Sequence, residues 1–125
     1  MEAEVVKKTG DMVYINTAVG NFNGIWCSSN PVALKKYVVE LDSDEVLTLD
    51  AIECSDISSP SIECVNQSIF ITGLVEEIQD RVMTLRLQGY IMMLEILSDL
   101  DFIQYVGCYV RVCLREIKIY DTSIY

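Results

Sequence analysis

The chain has 125 residues, 51% of them apolar, with nineteen acidic and nine basic residues, no histidine, and a net charge of −10. Such a length and composition fit one domain, residues 1–125, that hides roughly two-thirds of its unfolded surface and needs neither metal nor disulfide to fold. No apolar run reaches the ~18 residues of a membrane span, and the mixed charge of Met1–Lys8 does not read as a signal peptide, so a soluble cytoplasmic protein is expected.

Taken in chain order, the pattern is one of short β-type runs broken by turn residues. Met12–Val19 (MVYINTAV) follows the turn Thr9-Gly10-Asp11 and is rich in β-branched and aromatic residues. Gly20-Asn21-Phe22-Asn23-Gly24 reads as a loop, because glycine and asparagine accept positive φ. Ile25–Cys27 opens another strand, and Ser28-Ser29-Asn30-Pro31 interrupts it. Val32–Leu41 is ambiguous: its first half suits a helical turn, whereas Tyr37-Val38-Val39 favours a strand. Glu45–Cys54 alternates, with Leu47, Leu49 and Ala51 on one face and Asp50 outward, as in a strand. Ser55–Ser61 is a loop.

Ile62–Val65 and Ser68–Ile78 read as strands, the second with Ile69, Ile71 and Val75 on one side and Gly73 marking a bulge or bend. Arg81–Leu87 and Tyr90–Leu97 flank Gln88-Gly89, the two-residue gap of a hairpin. Ser98–Val106 suits a short helix capped by Ser98 or Asp99. Cys108–Tyr120 is the strongest strand. Val110, Val112 and Leu114 share a face, but Ile117 and Ile119 fall out of phase, which a bulge at Arg115-Glu116 would repair. Tyr120 and Tyr125 read as tail. No internal repeat, low-complexity tract or linker is evident. The fold class expected is all-β, or mainly β with one or two short helices, in a small β-barrel or sandwich.

Charge is unevenly placed. Eleven acids fall between Tyr37 and Asp80 with no lysine or arginine among them, and seven of these, Glu40, Asp42, Asp44, Glu45, Asp50, Glu53 and Asp56, lie within seventeen residues. A field of this sign repels nucleic acid and anionic membrane and attracts basic partners. The plainer alternative is a solubility charge with no partner.

Five cysteines, Cys27, Cys54, Cys64, Cys108 and Cys113, form no CxxC and are odd in number. That pattern points to free, mostly buried thiols in a reducing compartment rather than to a disulfide framework. Zinc would need four converging thiolates, and Cys108 and Cys113 would face opposite sides of one strand. The chain carries no P-loop, GxGxxG after a strand, GxSxG or HExxH, and without histidine it holds no Cys-His pair. Paired carboxylates such as Asp42 and Asp44 suit acid–base work only in principle. An oxygen-ligand cation site from Asp42, Asp44 and Glu45 would lack the glycine-containing Ca²⁺ loop pattern. No catalysis, metal or cofactor is expected.

Trp26, the one tryptophan, follows Phe22 and has Tyr37 nearby in sequence. It reads either as core or as an aromatic anchor at an interface, with Phe22 beside it.

Two resemblances bear on function. "ITGLVEEIQDRVMTLRLQGYIMMLEI" followed by "FIQYVGCYVRVCLREIKIYD", about residues 68–121, resembles part of an OB-type barrel. A strand with Gly73, a hairpin, a helix-like connector and a strand entered through Gly107 come in the order seen there. That likeness implies an oligonucleotide- or sugar-binding module, or a subunit of a larger assembly. In size, acidity and missing catalytic groups the chain is also similar to bacterial immunity proteins, including those of contact-dependent growth inhibition. The second likeness implies a non-catalytic inhibitor that docks an acidic surface on a basic partner such as a toxin nuclease. The expected binding residues are then the seven acids together with Phe22 and Trp26, and neither nucleic acid nor membrane is a partner.

Overall fold

The computed structural model describes residues 1–29, 31 and 33–123. Asn30 and Val32, in the expected break and the segment after it, and Tyr125 of the tail lie outside the described residues. The chain is mainly β, as expected. β1 (Glu2–Thr9), β2 (Met12–Thr17) and β3 (Gly20–Trp26) form an antiparallel meander, and β4 (Lys36–Asp42) pairs with β1. β5 (Val46–Leu47) and β6 (Ile52–Cys54) flank a 3-10 turn at Leu49–Ala51. β7 (Ser61–Val65) forms a hairpin with the long β8 (Ser68–Gln79), which leads through β9 (Val82–Leu87) to β10 (Tyr90–Ile96). A connector follows, with helix α1 (Asp99–Phe102) running into a 3-10 turn at Ile103–Tyr105. β11 (Tyr109–Leu114) and β12 (Lys118–Asp121) complete the described elements.

The strands make two sheets. One is a closed five-stranded barrel in the order β1-β2-β3-β12-β4; the other runs β5-β10-β9-β8-β11-β6, with β7 also on β8. Period-two alternation explains their inner faces. Met83, Leu85 and Leu87 of β9 and Met92, Leu94 and Ile96 of β10 are buried, as are Tyr37, Val39 and Leu41 of β4.

The second sheet repeats the first. The pairs Val5↔Ile15, Lys7↔Tyr14 and Thr9↔Met12 recur as Val75↔Leu85, Glu77↔Thr84 and Gln79↔Val82. Ile15↔Phe22 and Thr17↔Gly20 recur as Leu85↔Met92 and Leu87↔Tyr90. Each pair is displaced by the same 70 residues, and so is a break in register: Val5/Lys7 in one copy, Val75/Glu77 in the other. Ala3↔Tyr37 then corresponds to Gly73↔Val110, the displacement of the fourth strand having grown by three because the connector that carries α1 is three residues longer. The expectation of no internal repeat is therefore corrected.

The closing strands are exchanged between the copies. β12 pairs in parallel with β3 through Trp26↔Ile119 and antiparallel with β4, so the second half of the chain closes the first barrel. The segment β5–turn–β6 does the same for the second sheet, pairing in parallel with β10 through Ile96↔Leu47 and antiparallel with β11.

The exchange accounts for two further corrections. Arg115-Glu116 is not a bulge: β11 ends at Leu114, the chain crosses from the second sheet to the barrel, and Ile117 and Ile119 are buried there. Glu45–Cys54 is not one strand, because its two ends pair with different partners, and Leu49–Ala51 turns between them. The segment expected as a loop at Gly20–Gly24 is most of β3. Gly24 is there because a Cβ would meet Ile119 Cδ1 at 2.5 Å.

Gly20 has φ +142°, and a Cβ on it would sit 2.0 Å from the carbonyl oxygen of Ile62, whose N–H donates to Val19 O at 2.9 Å. The turn of the first meander thus touches β7 backbone to backbone. Gly20→Ala is expected to cost about 2–4 kcal/mol of stability, read as a lowered urea midpoint. Gly89→Ala, at the equivalent hairpin with no atom within 4 Å of the added carbon, is expected to change it little.

Candidate protein-binding surface

The structure divides the acidic segment between the two sheets. Glu40 and Asp42 point outward from β4, opposite Tyr120 and Lys118 of β12. Asp44 lies on the turn that follows and forms an ion pair with Lys118. The hydrogen bond to Asp44, and then its charge, raise the Lys118 pKa above the usual lysine value. Glu53, exposed on β6, lies 3.6 Å from Arg111, which also pairs with Glu63 of β7 at 3.3 Å and lies over the ring of Phe70. Asp50 is exposed on the 3-10 turn, and Asp56 on the loop beyond β6. Among the described residues, Glu40, Asp42, Asp50 and Asp56 form no ion pair.

In sequence the stretch holds no base, but strand exchange inserts Lys118 and Arg111 beside it. Those two cations were not foreseen, since nothing local in the sequence shows that β11 and β12 lie against β6 and β4.

Three of the expected site residues have structural work instead. Phe22 is wholly buried and Trp26 is 6% exposed. The Trp26 ring meets Tyr37 edge-on at 5.0 Å, and its Nε1–H donates to Ser29 O. Neither ring is available to a partner, so the anchor reading is corrected to core. Glu45 is partly buried, and its carboxylate accepts the backbone N–H groups of Arg115 at 2.9 and 3.0 Å and of Glu116 at 3.2 Å. It holds the crossover between β11 and β12 by charge-assisted bonds to otherwise unpaired donors.

Asp50 and Ala51 border two adjoining troughs. One, about 430 Å³, is lined by Glu45–Thr48 and Cys113–Arg115; the other, about 300 Å³, by Ile52, Glu53, Phe70 and Arg111. A larger cleft of about 730 Å³ lies where the equivalent hairpin turns, Ala18-Val19 and Gln88-Gly89, approach the start of β1 and Lys36. On its wall, Tyr90 Oη accepts the Leu41 N–H at 2.8 Å and so ties β10 to β4. Burial pushes the Tyr90 phenol above its ordinary pKa, the backbone bond from Leu41 works against this, and the charges of Glu40 and Asp42 add to the rise.

All five cysteines are free thiols, but Cys27, Cys54 and Cys64 are exposed and Cys108 and Cys113 half-buried, so the expectation that most are buried is corrected. Among the described residues no cluster of cysteine or acidic side chains is placed to hold a metal ion, and no helix is long and apolar enough to cross a membrane. Comparison with protein-family models, with curated proteins and with solved structures finds no match.

Two measurements probe these contacts. Glu45→Ala should lose about 1–3 kcal/mol by leaving backbone donors unpaired, whereas Asp50→Ala should unfold at the parental urea concentration; equal behaviour of the two would remove the capping role. Tyr90 holds its proton more tightly when folded, so its contribution is full below the ordinary pKa of 10.0 and is lost as pH rises through the higher folded value. Tyr90→Phe should therefore flatten the alkaline loss of stability relative to the parent in urea titrations between neutral pH and the alkaline limit.

Proposed function

We propose that this chain is a non-catalytic protein-binding domain of the immunity or inhibitor type, which neutralises a basic partner, such as a bacterial toxin nuclease, through an acidic surface. The observation that carries this reading is the exposure of Glu40, Asp42, Asp44, Asp50, Glu53 and Asp56, of which, among the described residues, only Asp44 and Glu53 are in ion pairs. Carboxylates of this kind match the sign of a nuclease's phosphate substrate and so suit the surface that the substrate would occupy. Exposed charges should mainly speed association, and one or two that lose water on binding should control dissociation. Glu45 is left out of the surface because its carboxylate is occupied within the fold.

A second reading, an OB-type oligonucleotide- or sugar-binding module, draws on the closed five-stranded barrel. The charge of −10 argues against its nucleic-acid form, since phosphate binding requires a basic surface.

The test is copurification from the native host, followed by titration of the recovered partner with a variant in which Glu40, Asp42, Asp50 and Asp56 are replaced by Gln or Asn. Affinity should fall by about tenfold or more at low salt, and its dependence on salt should weaken. A normally folded variant that binds as tightly as the parent at low salt would place recognition elsewhere.

A further inference from the structure

Beside the acidic segment lies an apolar face that the fold itself does not require. Along β10 and just past it, Ile91, Met93, Glu95 and Leu97 alternate outward. Met93 is 62% and Leu97 58% exposed, and Leu100 in α1 is 82% exposed. Leu97 ends the row just past β10, and in the helical connector that follows Leu100 and Ile103, three apart, lie on one side of it. Scattered apolar residues on a surface are ordinary, but a contiguous row is not.

The first meander supplies an internal control. Because Thr17↔Gly20 corresponds to Leu87↔Tyr90, the positions equivalent to Ile91 and Met93 are Asn21 and Asn23. Both asparagines are exposed on the outward face of β3. The same architecture therefore closes with polar side chains at these two places, and neither packing nor strand pairing accounts for Ile91 and Met93.

Charge decides between occupants. Residues 90–108 contain Glu95, Asp99 and Asp101 and no lysine or arginine; Arg86, opposite Ile91 on β9, is held in an ion pair by Glu76. The parallel pair Glu95↔Val46 brings β5 alongside, with exposed Val46, and with it the chain that carries Asp44 and Asp50. A second copy docking on this face would set these acids against their own kind, each chain bearing −10. A basic partner would meet opposite charge around an apolar centre.

We propose that the outward face of β10 and α1, centred on Ile91, Met93, Leu97 and Leu100, docks a protein segment with an apolar ridge flanked by lysines or arginines. The proposal rests on the acidic-surface reading and adds to it the apolar centre of the interface, where contact energy is concentrated, with the carboxylates as its rim.

The probes are three synthetic amphipathic helices: one with a leucine ridge flanked by lysines, a second with glutamates in place of the lysines, and a third that keeps the lysines but replaces leucine with serine. Each is titrated into the full chain while backbone amide shifts are followed, and sedimentation is measured without peptide. The leucine–lysine helix should bind with shifts centred on residues 91–103. Ile91→Asn/Met93→Asn should weaken it about tenfold while leaving the thermal midpoint in place, since asparagine already serves at both equivalent positions. Leu100→Ser, on the exposed connector, gives a second variant should the first fold poorly.

Equal binding of the leucine–lysine helix to the parent and to both variants would overturn the proposal, as would equal binding of the glutamate helix. So would a dimer that the asparagine pair dissolves, because the occupant would then be a second copy. Binding of the serine–lysine helix as tightly as the leucine–lysine helix would discard the apolar centre and leave the acidic surface standing. Failure of both lysine helices at low salt would discard the two together.

Discussion

The parallel pairing of Trp26 with Ile119, and of Ile96 with Leu47, makes both the closed barrel and the second sheet depend on a strand from the other half of the chain. A β-meander with one added strand leaves two edges bare, and bare edges expose unpaired N–H and C=O groups. Here β12 occupies the gap between β3 and β4, and the β5–β6 segment occupies the one between β10 and β11. Neither half can close by itself. The pairings join residues far apart in sequence, so they cost loop-closure entropy and are repaid only when both sheets are largely formed. The two halves are thereby bound into one cooperative structure without either contributing a large interface of its own.

Packing within the copies follows from the exchange. At the position where the second meander has Leu94, the first has Gly24, and the space left is filled by Ile119 from β12. Two residues on, Trp26 in the first meander stands where Ile96 stands in the second. Small and large have changed places along the strand, so volume is conserved by the arriving strand rather than residue by residue, as close-packed interiors require. Gly73, whose added carbon would lie 2.7 Å from Arg86 O and 2.9 Å from the Leu85 and Leu87 side chains, marks a similarly close approach of β8 to β9. The glycine read in the sequence as a bulge or bend is thus a spacing device, and the true register break comes later, between Val75 and Glu77.

How much of this could be read from the sequence depended on whether the cause was local. The hairpin around Gln88-Gly89, the connector helix and the alternating strands of the second half were legible, because turn chemistry and period-two burial act over a few residues. The repeat was not. Between Val5–Trp26 and Val75–Ile96 the only identity is Val5 with Val75, and what persists is inward-facing volume and strand register, which one sequence does not display. Gly20-Asn21-Phe22-Asn23-Gly24 looked like a loop because its glycines answer to Ile62 and Ile119, both remote in sequence. The phase slip at Arg115-Glu116 is visible in the sequence, but a bulge and a change of sheet leave the same trace in a hydrophobic pattern; only the partner strands separate them. On the surface, six of the seven acids are exposed, while Glu45, Phe22 and Trp26 are not legible as structural because their partners arise from the crossover and from the barrel interior.

The same topology determines what the acidic segment can present. A run of carboxylates with no intervening base suggests a continuous field, yet the segment lies at the exchange point, where its residues alternately serve one sheet and then the other. Lys118 and Arg111 arrive with the strands that it pairs against and neutralise Asp44 and Glu53 in part, while ion pairs at such exposure contribute little to stability. What remains uncompensated is concentrated at Glu40, Asp50 and Asp56, and on the neighbouring β10 side at Glu95 and Asp101. The parallel β5–β10 contact therefore does two things at once: it extends the second sheet, and it sets these acids along a face where Ile91 and Met93 stand in one copy of the repeat and Asn21 and Asn23 in the other. Because the polar copy shows what the fold itself demands, the departure of the second copy from it is the part of the surface that folding leaves unexplained.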